Sequence, residues 1–224
     1  AKGSKPYESG FKLHGSRAEI YKTVGETKLK IYVHKPKGLK PGDQRPAIVF
    51  FFGGAWRNGT PKQFHPHCRY LATQGMVAMT ADYRVLSRQG TKPHHCVRDA
   101  KSAIRWVRQN AERLGVDPNR IAAGGGSAGG HVAACTGVLP GIEEEGEDLL
   151  VSSMPNSMVL FNPALVLAPV KGVKGLDNVS RLKERFGMDP RKLSPYHHIR
   201  KDLSPTLILH GKADTTVPYS TAEV

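Results

Sequence analysis

The sequence predicts an α/β domain in which a mostly parallel sheet carries helices on both faces. Three observations lead there. Short apolar runs recur at 47–52, 76–81, 121–124, 158–161 and 206–210, and continuous runs of this kind suit strands buried on both sides. Helical patterns stand between the runs, and strands alternating with helices imply parallel pairing through right-handed crossovers. The 24 glycines and 16 prolines follow no collagen period, so they punctuate turns. With 224 residues and 39% apolar side chains before glycine is counted, one sizeable domain can bury a core.

Residues 1–17 are polar and Gly-rich and are expected to form a loose arm, with a single domain over 18–224. Strands are expected at 20–24 and 28–34, joined by Gly25-Glu26-Thr27. The second alternates, with Leu29, Ile31 and Val33 on one face and Lys30, Tyr32 and His34 on the other. Residues 35–46 contain three prolines and two glycines and read as a loop. After the strand at 47–52, Thr60-Pro61 opens a helix, with Thr60 as N-cap and Pro61 at the first helical position; it ends near Gln74-Gly75. The clearest helix covers 93–114, where Cys96, Ala100, Ala103, Ile104, Val107, Ala111 and Leu114 recur at helical spacing before Gly115 stops it. Asp117-Pro118-Asn119 makes a turn. After the strand at 121–124, a Gly-rich corner leads into a helix from Ala128 to about Gly137. Two longer connections, 139–157 (acidic) and 163–204 (basic), are the natural places for a lid or substrate wall.

Composition excludes several classes. Lys and Arg outnumber Asp and Glu by 33 to 19, a net charge of +14. The basic residues (Lys35, Lys37, Lys40; Arg105, Arg108, Arg113; Arg181, Lys183, Arg185) are scattered and follow no nucleic-acid motif, so no nucleic-acid partner is expected. Cys68, Cys96 and Cys135 are odd in number and form no CxxC, which indicates no disulfide framework. The longest apolar run, 47–56, has ten residues and two glycines, whereas a membrane span needs about 20. No signal-peptide pattern is seen, and a start at Ala1 leaves a secreted or periplasmic location as open as a cytoplasmic one.

The strongest chemical signal is Gly124-Gly125-Gly126-Ser127-Ala128-Gly129-Gly130. It contains GxSxG between an expected strand and an expected helix. On such a sharp turn a serine is held strained, with its hydroxyl bared beside the N–H groups of a helix N-terminus. A Walker loop would need Gly-Lys-Ser/Thr, which is absent. The dinucleotide pattern GxGxxG matches Gly124, Gly126 and Gly129, but the acidic residue it calls for about 20 residues on would fall at 143–145, in a loop. The second signal is Phe52-Gly53-Gly54-Ala55-Trp56 after the first buried strand. Small residues there let the Gly54 and Ala55 amides, with that of Ala128, face a substrate carbonyl oxygen as an oxyanion hole.

These residues carry a resemblance to the α/β-hydrolase fold, and within it to the esterase branch around hormone-sensitive lipase and bacterial acetyl-xylan or feruloyl esterases. The further matching pieces are Asp82-Tyr83-Arg84, Asp99-Ala100 through Trp106-Val107, Gly115-Val116-Asp117-Pro118-Asn119-Arg120-Ile121, Ser127-Ala128-Gly129-Gly130-His131, and His210-Gly211-Lys212-Ala213-Asp214-Thr215-Thr216-Val217-Pro218. The resemblance spans 20–224. Two positions depart from it: Phe52 stands where the family usually has His, and Gly126 where an acidic residue is frequent. The resemblance implies a serine carboxylesterase acting through an acyl-enzyme on short-chain or carbohydrate-linked (acetyl or feruloyl) esters, with Ser127 as nucleophile and Asp214 as the triad acid. No metal or organic cofactor is implied. The triad histidine follows the acid in this fold, and no histidine follows Asp214. The chain is therefore expected to lack its final helix, strand and histidine loop, and with them its general base and its activity.

Other residues invite other readings. His65, His67 and Cys68, with His94, His95, Cys96 and Asp99, match no structural zinc spacing, so no metal is expected. By the resemblance, Cys96 and Asp99 face the sheet and the Asp82-Tyr83-Arg84 loop. Trp56 either walls the acyl pocket or packs the loop. Residues 162–169 read as a strand exit lining the site, and 171–191 as a basic solvated face. Two rival functions share the pattern: a serine peptidase of the same fold, and a non-catalytic ligand-binding member of it. Oligomeric state is not written in the sequence.

Overall fold

A hairpin begins the sheet. In the computed structural model, which describes residues 7–171 and 185–224, β2 (Arg17–Val24) and β3 (Thr27–His34) pair antiparallel across a tight turn where Gly25 takes φ +55°. β1 (Tyr7–Glu8) pairs with the start of β3. Ser9 then buries its hydroxyl 2.6 Å from Tyr32 Oη. The expectation of a loose arm over 1–17 is thus corrected for 7–9: a short run of ladder bonds and one buried hydroxyl pair tie it to the sheet. Residues 1–6 lie outside the described residues.

From β3 the sheet continues antiparallel to β5 (Val77–Ala81), then parallel through β4 (Arg45–Phe51), β6 (Val116–Gly126), β7 (Ser157–Phe161) and β8 (Thr206–Leu209). The crossovers carry α1 (His65–Thr73), α2 (Leu86–Gln89), α3 (Pro93–Gln109), α4 (Ala111–Leu114) and α5 (Ala128–Val138). Both faces of the sheet are covered, as the unbroken apolar runs require. Val49 and Phe51 of β4 enter the larger core, with Ile104 and Val107 of α3 and Val132 of α5. Ile48 and Phe50 point the other way, onto Phe64 and Cys68. β8 lies at the edge of the sheet with Leu207 and Leu209 exposed. Among the described residues no helix is long and apolar enough to cross a membrane.

Three element boundaries differ from expectation for local reasons. Thr60 is extended but makes no side-chain cap bond, and Pro61–Phe64 winds as a 3₁₀ turn before α1 begins. The helix expected over 93–114 breaks at Asn110, whose side-chain amide donates to Trp106 O at 2.8 Å and so competes for a helix carbonyl. β6 starts at Val116, ahead of the expected turn. Asp117 Oδ1 accepts from Asn119 N at 2.9 Å, and the register with β4 slips between Arg45 and Ala47, so the turn is absorbed as a bulge.

Candidate active site

Ser127 sits between the last residue of β6 and the first of α5, at φ +53°, ψ −120°. This region is costly for a non-glycine residue, and the surroundings force it. A Cβ on Gly125 would come within 2.5 Å of Gly129 C, and one on Gly129 within 2.1 Å of Phe51 O. Helix and strands therefore meet with no room for side chains, which leaves the connecting residue only a sharp bend. The bend is fastened by Ser127 N donating to Phe161 O at 3.0 Å, and by Ser127 O accepting from His131 N at 3.0 Å and Ala164 N at 3.3 Å. The side chain is half-buried, and Oγ has no hydrogen-bond partner among the described residues. Gly126, one of the departures from the family pattern, is not sterically required: its Cβ would find ordinary contacts from 3.5 Å.

The loop after β4 lies against this bend. A Cβ on Gly53 would stand 2.9 Å from Gly126 O and 3.4 Å from Ser127 Cβ. Gly53 N donates to Gln63 Oε1 at 2.5 Å, and Gly54 O accepts from Arg57 N and Asn58 N. Gly54 takes φ +128°, where a Cβ would meet Asn58 O at 2.3 Å. Ala55 and Trp56 follow at φ +55° and +59°. Phe52, standing where a histidine is usual, stacks on Tyr83 with ring centroids 4.1 Å apart, and Tyr83 Oη donates to Phe52 O at 2.5 Å. Ala128 is the first residue of α5, so its N–H is one of the helix's unpaired donors. The structure thus brings Gly54, Ala55, Ala128 and Ser127 to one corner.

Sequence reasoning left Trp56 between two roles. The ring is buried, meets Phe186 edge-on at 5.3 Å, and donates from Nε1 to His131 Nδ1 at 3.0 Å, so it packs the loop. An indole N–H only donates, so His131 Nδ1 accepts and its proton sits on Nε2, facing Leu193 O at 2.7 Å. Burial pushes the His131 imidazole down to about 4. Because protonation is harder in the folded state than in the unfolded one, the unfolded chain binds more protons below its own value near 6.5. Stability is therefore full above that pH and falls as pH drops toward 4, by roughly 3 kcal/mol for this one group. Urea unfolding at pH 7 and pH 4 should show that loss in the wild type. It should be smaller by about that amount in His131→Asn, which takes up no proton.

Asp214 lies beyond the carboxyl end of β8, two strands over from β6. Its Oδ1 accepts from Thr216 N at 2.8 Å and Val217 N at 2.9 Å, bonds that hold the carboxyl below its ordinary range. His210 stands 3.8 Å from Oδ2 but is turned to Val217 O at 2.9 Å. All ten histidines are among the described residues, and none has its ring hydrogen-bonded to Ser127 Oγ.

The two connections behave differently. Residues 139–157 are strapped along α3 and its neighbours: Glu143 pairs with Lys101 and Arg105, Glu147 with Arg105, and Glu144 with Arg84 and Lys22. The reason is charge, since buried cations on α3 and around Arg84 need these carboxylates. In the second connection, Arg185 donates to Ala55 O and lies 5.4 Å over the Trp56 ring, while Phe186 is fully buried. The solvated face expected over 171–191 is corrected at 185–186 accordingly; 172–184 lie outside the described residues. Nothing in the sequence marked Gln63, Arg185 or Phe186, because each acts through a contact distant along the chain. Three of the residues weighed as metal ligands have other partners: His65 with His34 at 3.2 Å, Cys96 with Arg84 O, and Asp99 with Arg84 and Lys22.

Comparison with known proteins agrees with this geometry. The BD-FAE family model matches residues 29–162. Esterase LipC of Mycobacterium tuberculosis is 31% identical over 209 residues, covering 87% of this chain and 50% of that protein. The chain spans about half the length of the curated relatives it matches. Esterase 2 of the planctomycete Thermogutta terrifontis, solved with propionate, is 52% identical with a TM-score of 0.89, covering 97% of this chain and 79% of that one. Solved with butyrate, it matches at 53% identity and a TM-score of 0.88 over 94% and 77%. The bared serine between β6 and α5, the Gly-Gly loop against it and these matches together show that the chain belongs to the BD-FAE family and has the α/β-hydrolase fold of esterases.

Proposed function

We propose that the chain is the catalytic part of a serine carboxylesterase for short-chain esters, including acetyl or feruloyl groups carried on carbohydrate. The observation that carries this reading is Ser127, strained on the bend, its Oγ unbonded among the described residues and beside the Gly53–Ala55 backbone. Ser127 Oγ attacks the ester carbonyl. The N–H groups of Gly54, Ala55 and Ala128 receive the developing oxyanion, each worth ~3 kcal/mol in the transition state. A histidine aligned by Asp214 takes the serine proton and returns it to the leaving alcohol, and water then releases the acid. No described histidine ring is hydrogen-bonded to Ser127 Oγ, and without such a base the 224 residues would be inactive. The short acyl preference is supported by the relative solved with propionate and butyrate.

A panel of p-nitrophenyl esters from acetate to laurate, with methyl ferulate and acetylated xylan, tests the reading on the full-length protein. We expect kcat/KM to peak between acetate and butyrate and to fall about 100-fold by laurate, as poorly accommodated methylenes accumulate. Failure of a fluorophosphonate to label Ser127 would favour the non-catalytic ligand-binding reading instead.

A further inference from the structure

The loop carrying Gly54 and Ala55 cannot hold its own shape. Ala55 and Trp56 are consecutive non-glycine residues at positive φ, a pairing that relaxes unless outside contacts over-determine it. The carbonyl of Trp56 is held by Leu86 N at 3.2 Å, and its indole by His131. His131 is one turn into α5 and fully buried; its own N–H bonds Ser127 O at 3.0 Å, and Nε2 bonds Leu193 O at 2.7 Å. One residue therefore joins three segments: its backbone N–H holds the bend that carries the serine, and its ring holds the loop that carries the two amides and the 190–193 turn of the second connection.

We propose that His131 is a positioning residue that sets the distance between the Gly54 and Ala55 amides and Ser127 by accepting the Trp56 indole proton. The inference rests on the esterase reading for its kinetic consequence and on geometry alone for the positioning. Both ring nitrogens are occupied, so the imidazole has no free atom with which to take the serine proton. Its action on the reaction passes through Trp56.

The test uses the full-length protein with His131→Leu, which keeps bulk and removes both bonds, His131→Asn, which restores an acceptor near Nδ1, and Trp56→Phe, which removes only the donor. Active-site titration counts competent serines, so kcat is read per titrated site and a loss of folded protein does not enter it. For His131→Leu we expect kcat per site to fall on the order of 10–100-fold, because a displaced donor fails in the transition state, with KM within threefold. His131→Asn should recover at least about half of that loss on a logarithmic scale, and Trp56→Phe should match His131→Leu. The double variant should lose no more than the worse single one, because both break the same bond. A second readout needs no turnover: the Trp56 indole proton should exchange at least about tenfold faster in His131→Leu, and the Gly54 and Ala55 amide resonances should shift. Unchanged kcat per site, or additive losses in the double variant, overturns the proposal, as do unchanged amide resonances. Wild-type protein that hydrolyses no ester while the amides still shift refutes the esterase reading and leaves the positioning intact.

Discussion

Ser127→Ala is expected to lower ester turnover by about 10⁶-fold in the full-length protein while the fold survives. The hydroxyl makes no cap bond to α5, and the bend is fastened by the backbone of Ser127 to Phe161, His131 and Ala164. Removing Oγ therefore deletes the proposed nucleophile and little else. Ser127→Gly separates chemistry from strain. It should be as inactive as Ser127→Ala, yet about 1 kcal/mol more stable, because glycine adopts φ +53°, ψ −120° without the cost a Cβ brings. Steady-state kinetics on the panel above and urea unfolding of the two variants check both halves. An alanine variant that retains more than about 1% of turnover would remove Ser127 from the mechanism.

The largest stability effect is expected at Asp99. This carboxylate is fully buried on α3, where it takes a two-pronged bond from Arg84 (Nη2 to Oδ1 at 2.7 Å, Nε to Oδ2 at 2.9 Å), another from Arg84 N, and an ion pair from Lys22 at 2.8 Å. Glu144 completes the cluster against the same two cations. Burial pushes its carboxyl up, but the bonds from Lys22 and Arg84 outweigh that and hold it low. Asp99→Ala leaves two buried cations facing one carboxylate, and breaking such a pair costs about 3–5 kcal/mol. For a chain of this size that corresponds to roughly 10 °C in Tm. Kinetics should change less than stability. Arg84 follows Tyr83, whose hydroxyl bonds Phe52 O, so the cluster reaches the Gly-Gly loop only through a neighbour. A Tm within 2 °C of wild type would show that the cluster relaxes into water at little cost.

The order and type of the elements around the site were legible in the sequence, because each rests on local chemistry. The run at 47–52 could only be a strand buried on both sides, and β4 is one. The glycines around Ser127 are explained by the 2.1–2.6 Å at which a Cβ on Gly125 or Gly129 would meet neighbouring backbone, and the motif itself signals that crowding. Boundaries were less legible where a side chain competes with the backbone, as at Asn110, or where a turn can hide in a bulge, as at Asp117.

Only the tertiary structure decided how charge and loops are distributed. The acidic run at 143–147 looks like a free lid in one dimension, yet it is bound to α3 because Lys22, Arg84, Lys101 and Arg105 are buried there and must be neutralised. Trp56 was ambiguous until His131 and Phe186, from distant parts of the chain, closed around it. By itself the sequence determined the fold class, the bend at 127 and the Gly-Gly loop, since periodicity, glycine sterics and helix termini act within a few residues. Which buried groups hold that loop against the bend was decided by packing between segments up to 130 residues apart, where the favourable partner is set by solvent exclusion and not by spacing along the chain.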